Sequence, residues 1–437
     1  MAFQDLTQLL ARFKNLGAER VFCKHLAEND NSKQQIYLGN SFEVLSFFPH
    51  KEIIAFSELK EPNFKAALEY FWVDVDSIEK ANGAQLILYP AYPEVRLSGF
   101  LQGCVTAPSD YLRQIPKAHR RGTDGRVLVF GITTDGRTLA YLAPESSTLS
   151  YQLLGKFAES PPLGLFLELT LPIGSEQNKA SVLAALRHIH AGGFHESCRR
   201  NNKGVLIPYN ASNGGGYTLE ALLGITPNGR SEPDYLGWEI KGHSSSRVTL
   251  MTPEPSGGFY GERGVKEFVE RYGHTVEGGG MYFTGGHKVG VECEKTGMTL
   301  QVTGFDPSNH RLLDVSGAVR LLDSSGNEAA SWAFAQLLTH WNRKHAFAAY
   351  IRYTPQKFPN SYRYETPILM GEHTDFNKYL NALCRGAIIF DPGSKVTNAR
   401  TPQSKVKARS QFRINTKDLG LLYQTLTEES IDQTPPP

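Results

Sequence analysis

The sequence has few cysteines and no paired cysteine motif. Five cysteines are spread over 437 residues at long spacings, without a C-x-x-C pair. This spacing argues against a structural zinc site and against a disulfide framework, so we expect reduced thiols.

Long apolar runs are also missing. No run reaches the ~18 apolar residues that a membrane span needs. The first residues, M-A-F-Q-D-L-T-Q-L-L-A-R-F-K, lack the apolar core and cleavage site of a secretory signal and are a candidate amphipathic helix. We therefore expect no membrane contact and a cytoplasmic location.

Neither sign of charge is in large excess, because the formal net charge is +2. This value does not decide for or against nucleic acid, since a local basic patch is enough for binding. The length and the 40% hydrophobic content suffice for two cores.

A change in the sequence pattern divides the chain into residues 1–175 and 176–437. Before the boundary, short β-rich runs alternate with turn signals, which favours a mainly β domain, either a barrel or a sandwich. The clearest hairpin joins residues 126–132 and 138–141 through the turn dipeptide Asp135-Gly136.

The strongest motif lies in the second region, where G-G-G-Y-T-L-E ends at Glu220 and D-Y-L-G-W-E-I-K runs from Asp234 to Lys241. The composition predicts a buried strand over 235–241, and alternate side chains of a strand share a face. Glu239 and Lys241 should therefore point the same way, with Asp234 swinging back toward Glu239. The glycine run should open a helix that brings Glu220 to the opposite wall.

These residue types suit phosphodiester hydrolysis. Mg²⁺ takes oxygen ligands, including one or two carboxylates, so Asp234, Glu239 and the Ile240 carbonyl are the candidate ligands. Lys241 is the candidate to hold or help deprotonate the attacking water and to offset negative charge in the transition state. By chance alone such a string usually marks a solvated strand edge, but charges among Leu, Trp and Ile are costly to bury without partners.

The blocks quoted above, with A-G-G-F-H-E at 191–196, V-T-L-M at 248–251, Y-L-N-A-L-C-R-G at 379–386 and Q-F-R-I-N at 411–415, resemble the MvaI/BcnI restriction endonucleases. This family is similar to the repair nickase MutH and has the PD-(D/E)xK nuclease fold. The resemblance implies an α/β core with a mixed sheet flanked by helices, with Asp234 and Glu239 as metal ligands, Lys241 as catalytic lysine and Glu220 completing the site. It also implies a CC-N-GG type of target and a monomer.

Residues 1–175 show a weaker resemblance to the B3-like DNA-binding domain of EcoRII, which is a pseudobarrel. The whole chain, with its two parts, resembles a UbaLAI-type arrangement. One DNA-gripping arm would then carry Lys24, His25, Asn29 and Lys33, and the other Glu94 and Arg96. Such a module would bind a second, effector DNA copy, read a modified base, or act as a tether.

Other candidate DNA contacts lie in the second region. His195 and His243 are candidates as well, although each also has a purely structural interpretation. His195 could serve helix-end packing, and His243 could be a core or surface histidine. Arg263 is a candidate for the cleft, Arg413 for a base edge, and Lys405, Lys407 and Arg409 alternate so that one side of a strand would be positive.

The sequence thus predicts a Mg²⁺-dependent type II restriction endonuclease that acts on double-stranded DNA. The alternatives are a MutH-like repair nickase and a non-catalytic or modified-base-reading DNA-binding protein.

Overall fold

The computed structural model describes residues 3–30, 34–120, 125–159, 162–169, 171, 175–211, 213–226, 234–345, 347–399 and 401–432, with the backbone alone at 175–178 and 342–344. The chain divides into two compact units, Met1–Ala180 and Ser181–Pro437. The boundary proposed from the sequence lies at 175, and one helix, Ser175–Ala191, runs through both positions.

The first unit begins with the expected amphipathic helix, α1 (Leu6–Asn15). Its N-cap Asp5 accepts a hydrogen bond from the Gln8 N–H, and Leu9, Leu10 and Phe13 are buried. A further α-helix of this unit is α2 (Thr148–Glu159). Short 3-10 helices span Phe42–Phe47 and Lys117–His119.

Strands make up most of the rest of this unit. In chain order they are β1 (Ala18–His25), β2 (Gln35–Gly39), β3 (Ile53–Phe56), β4 (Asn63–Ala67), β5 (Glu69–Val73), β6 (Ile78–Ala81), β7 (Gln85–Tyr89), β8 (Glu94–Ser98), β9 (Val127–Thr133), β10 (Arg137–Ala143) and β11 (Phe166–Leu169).

These strands form two sheets, in the orders β11-β1-β9-β10-β5-β6 and β2-β8-β7-β4-β3. The predicted hairpin is present as the antiparallel pair β9 and β10, and Gly136 in its turn has a φ of 84°, which glycine adopts without strain. The unit is therefore strand-rich as expected. Pairing between the described strands does not close either sheet into a barrel.

The structure corrects the prediction that Lys24 contacts DNA. Lys24 is only 2% exposed, and its Nζ lies 2.6 Å from Asp30 Oδ2. Asp30 is also buried and accepts hydrogen bonds from the backbone N–H groups of Ala27 and Tyr37. The ammonium of Lys24 is thus committed to an internal ion pair, because a buried charge needs a partner.

The other candidates for the two arms lie elsewhere on this unit. His25 is half-buried at the end of β1, and Asn29 is exposed in the turn that follows. Glu94 and Arg96, both on β8, form an ion pair with each other at 2.7 Å. Lys33 lies outside the described residues.

The second unit contains most of α3 (Ser175–Ala191). Its other described helices are α4 (Gly214–Leu222), α5 (Gly258–Tyr272), α6 (Phe334–Lys344) and α7 (Phe376–Cys384), with a 3-10 helix at Thr416–Leu421. Its strands are β12 (Phe194–Glu196), β13 (Cys198–Arg200), β14 (Leu206–Pro208), β15 (Glu239–His243), β16 (Arg247–Met251), β17 (His274–Val276), β18 (Gly280–Thr284), β19 (Glu292–Cys293), β20 (Met298–Thr303), β21 (Phe305–Asp306), β22 (Arg311–Leu312), β23 (Ala318–Leu322), β24 (Glu328–Ala333), β25 (Phe347–Gln356), β26 (Ser361–Tyr364), β27 (Ile368–Thr374), β28 (Ile388–Phe390), β29 (Gly393–Thr397), β30 (Lys405–Lys407), β31 (Phe412–Asn415) and β32 (Tyr423–Glu429).

A mixed sheet forms the centre of this unit. Its order is β12-β26-β25-β27-β32, and β15 pairs with β25 in parallel while the other neighbours are antiparallel. Apolar residues of α3, α4 and this sheet share one core, which includes Leu186, Leu219, Ile240 and Ile351. The expected α/β architecture of mixed sheet and helices is confirmed.

The cysteines and the length of the apolar helices can also be compared with the sequence analysis. Its five cysteines are all free in the structure. Among the described residues, the helices are too short or too polar to cross a membrane.

The buried pair in the first unit gives a stability prediction. Asp30→Ala should destabilise the protein by about 3–5 kcal/mol, since it leaves the Lys24 ammonium buried without its partner. The control is Asp110→Ala, which breaks the pair Arg113 and Asp110, whose side chains are 79% and 81% exposed. That change should cost less than about 1 kcal/mol. Thermal melting of the full chain measures both, and equal melting temperatures for the two variants would contradict this account.

Candidate active site

Glu239 and Lys241 lie on β15 and point to the same face, as the sequence predicts. The strand runs parallel to β25, with Glu239 opposite Ala348 and Lys241 opposite Tyr350. Lys241 Nζ lies 2.5 Å from Glu239 Oε1, and the two side chains are 21% and 1% exposed. The carboxylate is therefore enclosed by protein while the ammonium reaches the surface of the site.

The strand is shorter than expected, because it begins at Glu239 and not at Tyr235. Tyr235 and Trp238 exchange two backbone hydrogen bonds of 3.0 and 2.9 Å around a tight turn. Both central residues have positive φ, 49° at Leu236 and 80° at Gly237, as in the two-residue turns that glycine favours at the second position. Turn chemistry at Gly237 thus overrides the apolar composition of this segment.

This turn places Asp234 beside the strand. Asp234 Oδ2 accepts a hydrogen bond of 3.1 Å from the Ile240 N–H. The Asp234 carboxylate is therefore held next to the residue that separates Glu239 from Lys241, and Asp234 and Glu239 line the same cleft.

Glu220 comes from α4, which packs closely on the strand because its first turn consists of glycines. A Cβ at Gly214 or Gly215 would overlap the side chains of Tyr362 and Tyr353, respectively. A Cβ at Gly242 of β15 would stand 3.4 Å from the Gly216 Cα. The backbone of the helix thus approaches the sheet at a distance that larger residues would prevent.

These side chains line one cleft of about 470 Å³. Its walls include the four candidate catalytic residues and, from distant parts of the chain, three basic or titratable side chains: Glu220, Asp234, Glu239, Lys241, His340, Arg409 and Arg413. The structure therefore brings together the acids, the lysine and two of the predicted cationic DNA contacts.

Electrostatics keep Lys241 charged. Burial alone would lower its pKa, but the attraction of Glu239 and the hydrogen bond to it, followed by Asp234 and Glu220, raise the pKa above its ordinary value. The ammonium at this position is thus suited to donate hydrogen bonds to a water or a phosphate oxygen.

The donor atoms fit a hard divalent cation. Asp234 and Glu239 supply carboxylate oxygens, and Ile240, which directly follows Glu239 in sequence, also lines the cleft and offers its backbone carbonyl. In the part of the chain that the structure describes, His, Cys, Asp and Glu do not gather in threes or more to cage a metal. Two carboxylates leave room for water and for a substrate phosphate, which is how proteins hold Mg²⁺.

The model of the MvaI/BcnI restriction endonuclease family matches residues 183–423, more than half of the 437 residues. The chain belongs to this family. It is a site-specific DNA nuclease of the type II restriction class. The family generally uses divalent metal ions, and residues 1–182 lie outside the matched range.

Two solved structures of restriction endonuclease MvaI are similar to this chain. The complex of MvaI with its cognate DNA substrate has 17% sequence identity and a TM-score of 0.46, and the match covers 59% of this chain and 99% of that chain. MvaI in the absence of DNA has 15% identity and a TM-score of 0.32, with the same coverage. No curated protein matches.

The remaining candidate DNA contacts fall into different environments. His195 Nε2 lies 2.7 Å from the Ile189 carbonyl at the end of α3, so its ring serves helix-end packing. His243 Nδ1 lies 2.9 Å from the Ser245 carbonyl at the cleft, and burial lowers its pKa. Arg263 is exposed on α5.

Three basic residues near the end of the chain, Lys405, Lys407 and Arg409, are exposed. Lys405 and Lys407 lie on β30, and Arg409 follows it. Arg413 is different, because its Nη1 donates to Asp391 Oδ2 at 2.8 Å and its Nη2 to the Arg247 carbonyl. These two hydrogen bonds fix the orientation of the Arg413 guanidinium, and Arg413 also lines the cleft.

Sequence reasoning missed His340 and Asn213, which also line the cleft. His340 lies on α6, about a hundred residues from the motif, and carries no local pattern. Asn213 was visible as the residue that precedes the glycine run, at the position of an N-cap.

The glycine run supplies a matched pair of variants. Gly215→Ala should force α4 away from Tyr353, lowering stability by about 1–3 kcal/mol and displacing Glu220 enough to slow DNA cleavage by about 100-fold. Gly216→Ala meets nothing within 4 Å, so it should keep or raise the melting temperature through the better helix propensity of alanine. Melting curves and a plasmid cleavage assay test the pair. Equal melting temperatures would show that the close packing is not what the glycine provides.

Proposed function

We propose that this chain is a Mg²⁺-dependent type II restriction endonuclease whose catalytic residues are Glu220, Asp234, Glu239 and Lys241. The observation that carries the proposal is the convergence of Asp234, Glu239 and Lys241 at one cleft, in a member of a restriction endonuclease family. Direct attack of water on the phosphorus is promoted by a metal held by acids and by a cation beside it, and this cleft supplies the acids and the cation.

Each side chain has a task in this mechanism. Asp234 and Glu239, with the Ile240 carbonyl, would hold Mg²⁺, which polarises the scissile phosphate and its attacking water when bound. Lys241 holds the water in line and offsets negative charge that builds on the phosphate oxygens. Glu220 approaches from the helix side and adjusts the charge of the metal site.

Target recognition is proposed from the same resemblance. A CC-N-GG type of sequence is rich in G·C pairs, and arginine is the side chain that binds guanine through two hydrogen bonds in the major groove. Arg413, braced by Asp391, is the proposed base-edge contact. Lys405, Lys407, Arg409, Arg263 and His243 are the proposed phosphate contacts.

The first unit is proposed to be a B3-like DNA-binding module that holds a second, effector copy of the target. The strand-rich architecture supports this assignment. Asn29 is exposed and His25 half-buried near the end of β1, while Glu94 and Arg96 present a paired acid and base on β8. The proposed enzyme is a monomer that cuts one strand and then the other.

The test is cleavage of supercoiled plasmid DNA by the purified full chain. Addition of Mg²⁺ should give linear product, and EDTA should abolish it. Lys241→Ala and Glu239→Gln should each reduce the rate by at least about 100-fold, because the first removes the cation that offsets transition-state charge and the second removes a carboxylate that would hold Mg²⁺. Glu267→Gln, on the exposed side of α5, is the matched control and should cleave like the wild type.

Other outcomes identify the alternatives. Nicked circles without linear product would indicate a MutH-like repair nickase, and no cleavage would indicate a non-catalytic or modified-base-reading protein. Sequencing the cut ends gives the target, and faster cleavage of plasmids with two targets than with one would support the effector role.

A further inference from the structure

The β13–β14 hairpin, residues 198–208, lies beside the cleft and has no role in the mechanism above. Its strands pair antiparallel, with Arg199 opposite Ile207 and Arg200 opposite Leu206. Between Glu196 and Glu220 the sequence contains no acidic residue but three basic ones, Arg199, Arg200 and Lys203. This part of the surface therefore complements a polyanion.

The hairpin is held rigidly against the helix that carries Glu220. Arg200 donates from Nε to the Ala221 carbonyl at 3.0 Å and from Nη1 to the Gly204 carbonyl at 2.8 Å. The Cys198 N–H donates to Thr218 Oγ1 at 3.1 Å. Hydrogen bonds from Cys198 and Arg200 thus attach the hairpin to α4.

The tip is also fixed internally. Asn201 Oδ1 accepts hydrogen bonds from the N–H groups of Lys203 and Val205, at 2.9 and 3.0 Å. A preordered loop loses little conformational entropy when it binds a partner.

Arg199 connects the hairpin to the rim of the cleft. Its guanidinium lies over the Tyr209 ring at 5.1 Å, and the hydroxyl of Tyr209 donates to Asn213 Oδ1 at 3.0 Å. Asn213 lines the cleft. A chain of contacts therefore runs from the rim of the cleft through Tyr209 to Arg199.

Two adjacent aliphatic side chains are exposed at the end of the hairpin. Val205 is 56% exposed and Leu206 is 52% exposed. Exposed apolar pairs on a rigid, basic loop are suited to a ligand with both charged and apolar surface. A DNA backbone offers phosphates and the apolar faces of its deoxyriboses.

We propose that the β13–β14 hairpin is a second DNA-binding arm, which grips the duplex beside the scissile bond on the Glu220 side of the cleft. Arg199 and Lys203 contact phosphates, and Val205 and Leu206 pack against deoxyribose. Arg200 is a positioning residue, because its donors are used to fix the hairpin to α4. This inference rests on the proposed function and adds to it a substrate contact that the nuclease motif does not predict.

The experiment is fluorescence anisotropy of the full chain with a labelled duplex that the wild type cleaves, in EDTA so that no cleavage occurs, over a range of salt concentrations. Lys203→Ala and Arg199→Ala should each make the salt dependence of binding weaker. The slope of log affinity against log salt should become less negative by about 0.9, the value for one phosphate contact. Val205→Ser with Leu206→Ser should weaken binding by about tenfold with an unchanged slope. Hydroxyl-radical footprinting should show loss of protection on the sugars next to the cut.

The matched controls are Lys378→Ala on α7 and Leu313→Ser, the latter at a side chain that is 61% exposed. Neither should change affinity or slope. If the hairpin variants bind with wild-type affinity, slope and footprint, the inference is overturned while cleavage by the wild type leaves the proposed function standing. If the wild type does not cleave any DNA, the proposed function fails, and that failure is seen before any hairpin variant is made.

Discussion

The ion pair between Glu239 and Lys241 is the interaction on which the whole site depends. The Glu239 carboxylate is 1% exposed, so its charge needs the ammonium that lies 2.5 Å away. Asp234 and Glu220 also lie close enough to Lys241 to raise its pKa, so three carboxylates act on one lysine. A cluster of acids around one lysine, in a cleft, is typical of a functional site.

The backbone arranges these charges with two local devices. Positive φ angles at Leu236 and Gly237 turn the chain so that Asp234 returns to the Ile240 N–H. On the other side, the glycines of α4 let that helix approach β15 closely enough for Glu220 to line the same cleft. Geometry at the site is therefore set by residues without charges, and the β13–β14 hairpin is attached to this same helix.

The placement of Glu239 and Lys241 on one face could be predicted from the sequence because it rests on a local rule. Alternation along a strand places Glu239 and Lys241 on one face. The further sequence blocks that resemble the family, from residue 191 to residue 415, support the prediction beyond this one motif. Burial could not be predicted in the same way. Lys24 has the sequence context of a surface residue, but it is buried in an ion pair with Asp30, six residues later. Likewise, His340 reaches the cleft only through the packing of α6, which no short pattern encodes.

The account requires that the acids of this cleft bind a divalent metal ion together. The most direct test is anomalous diffraction from crystals of the full chain grown with Mn²⁺, which takes the same oxygen ligands as Mg²⁺. A single strong peak between the Asp234 and Glu239 carboxylates, lost in Asp234→Ala, is the predicted result. Crystals that contain Mn²⁺ at other sites, with no peak at these two carboxylates, would contradict the account.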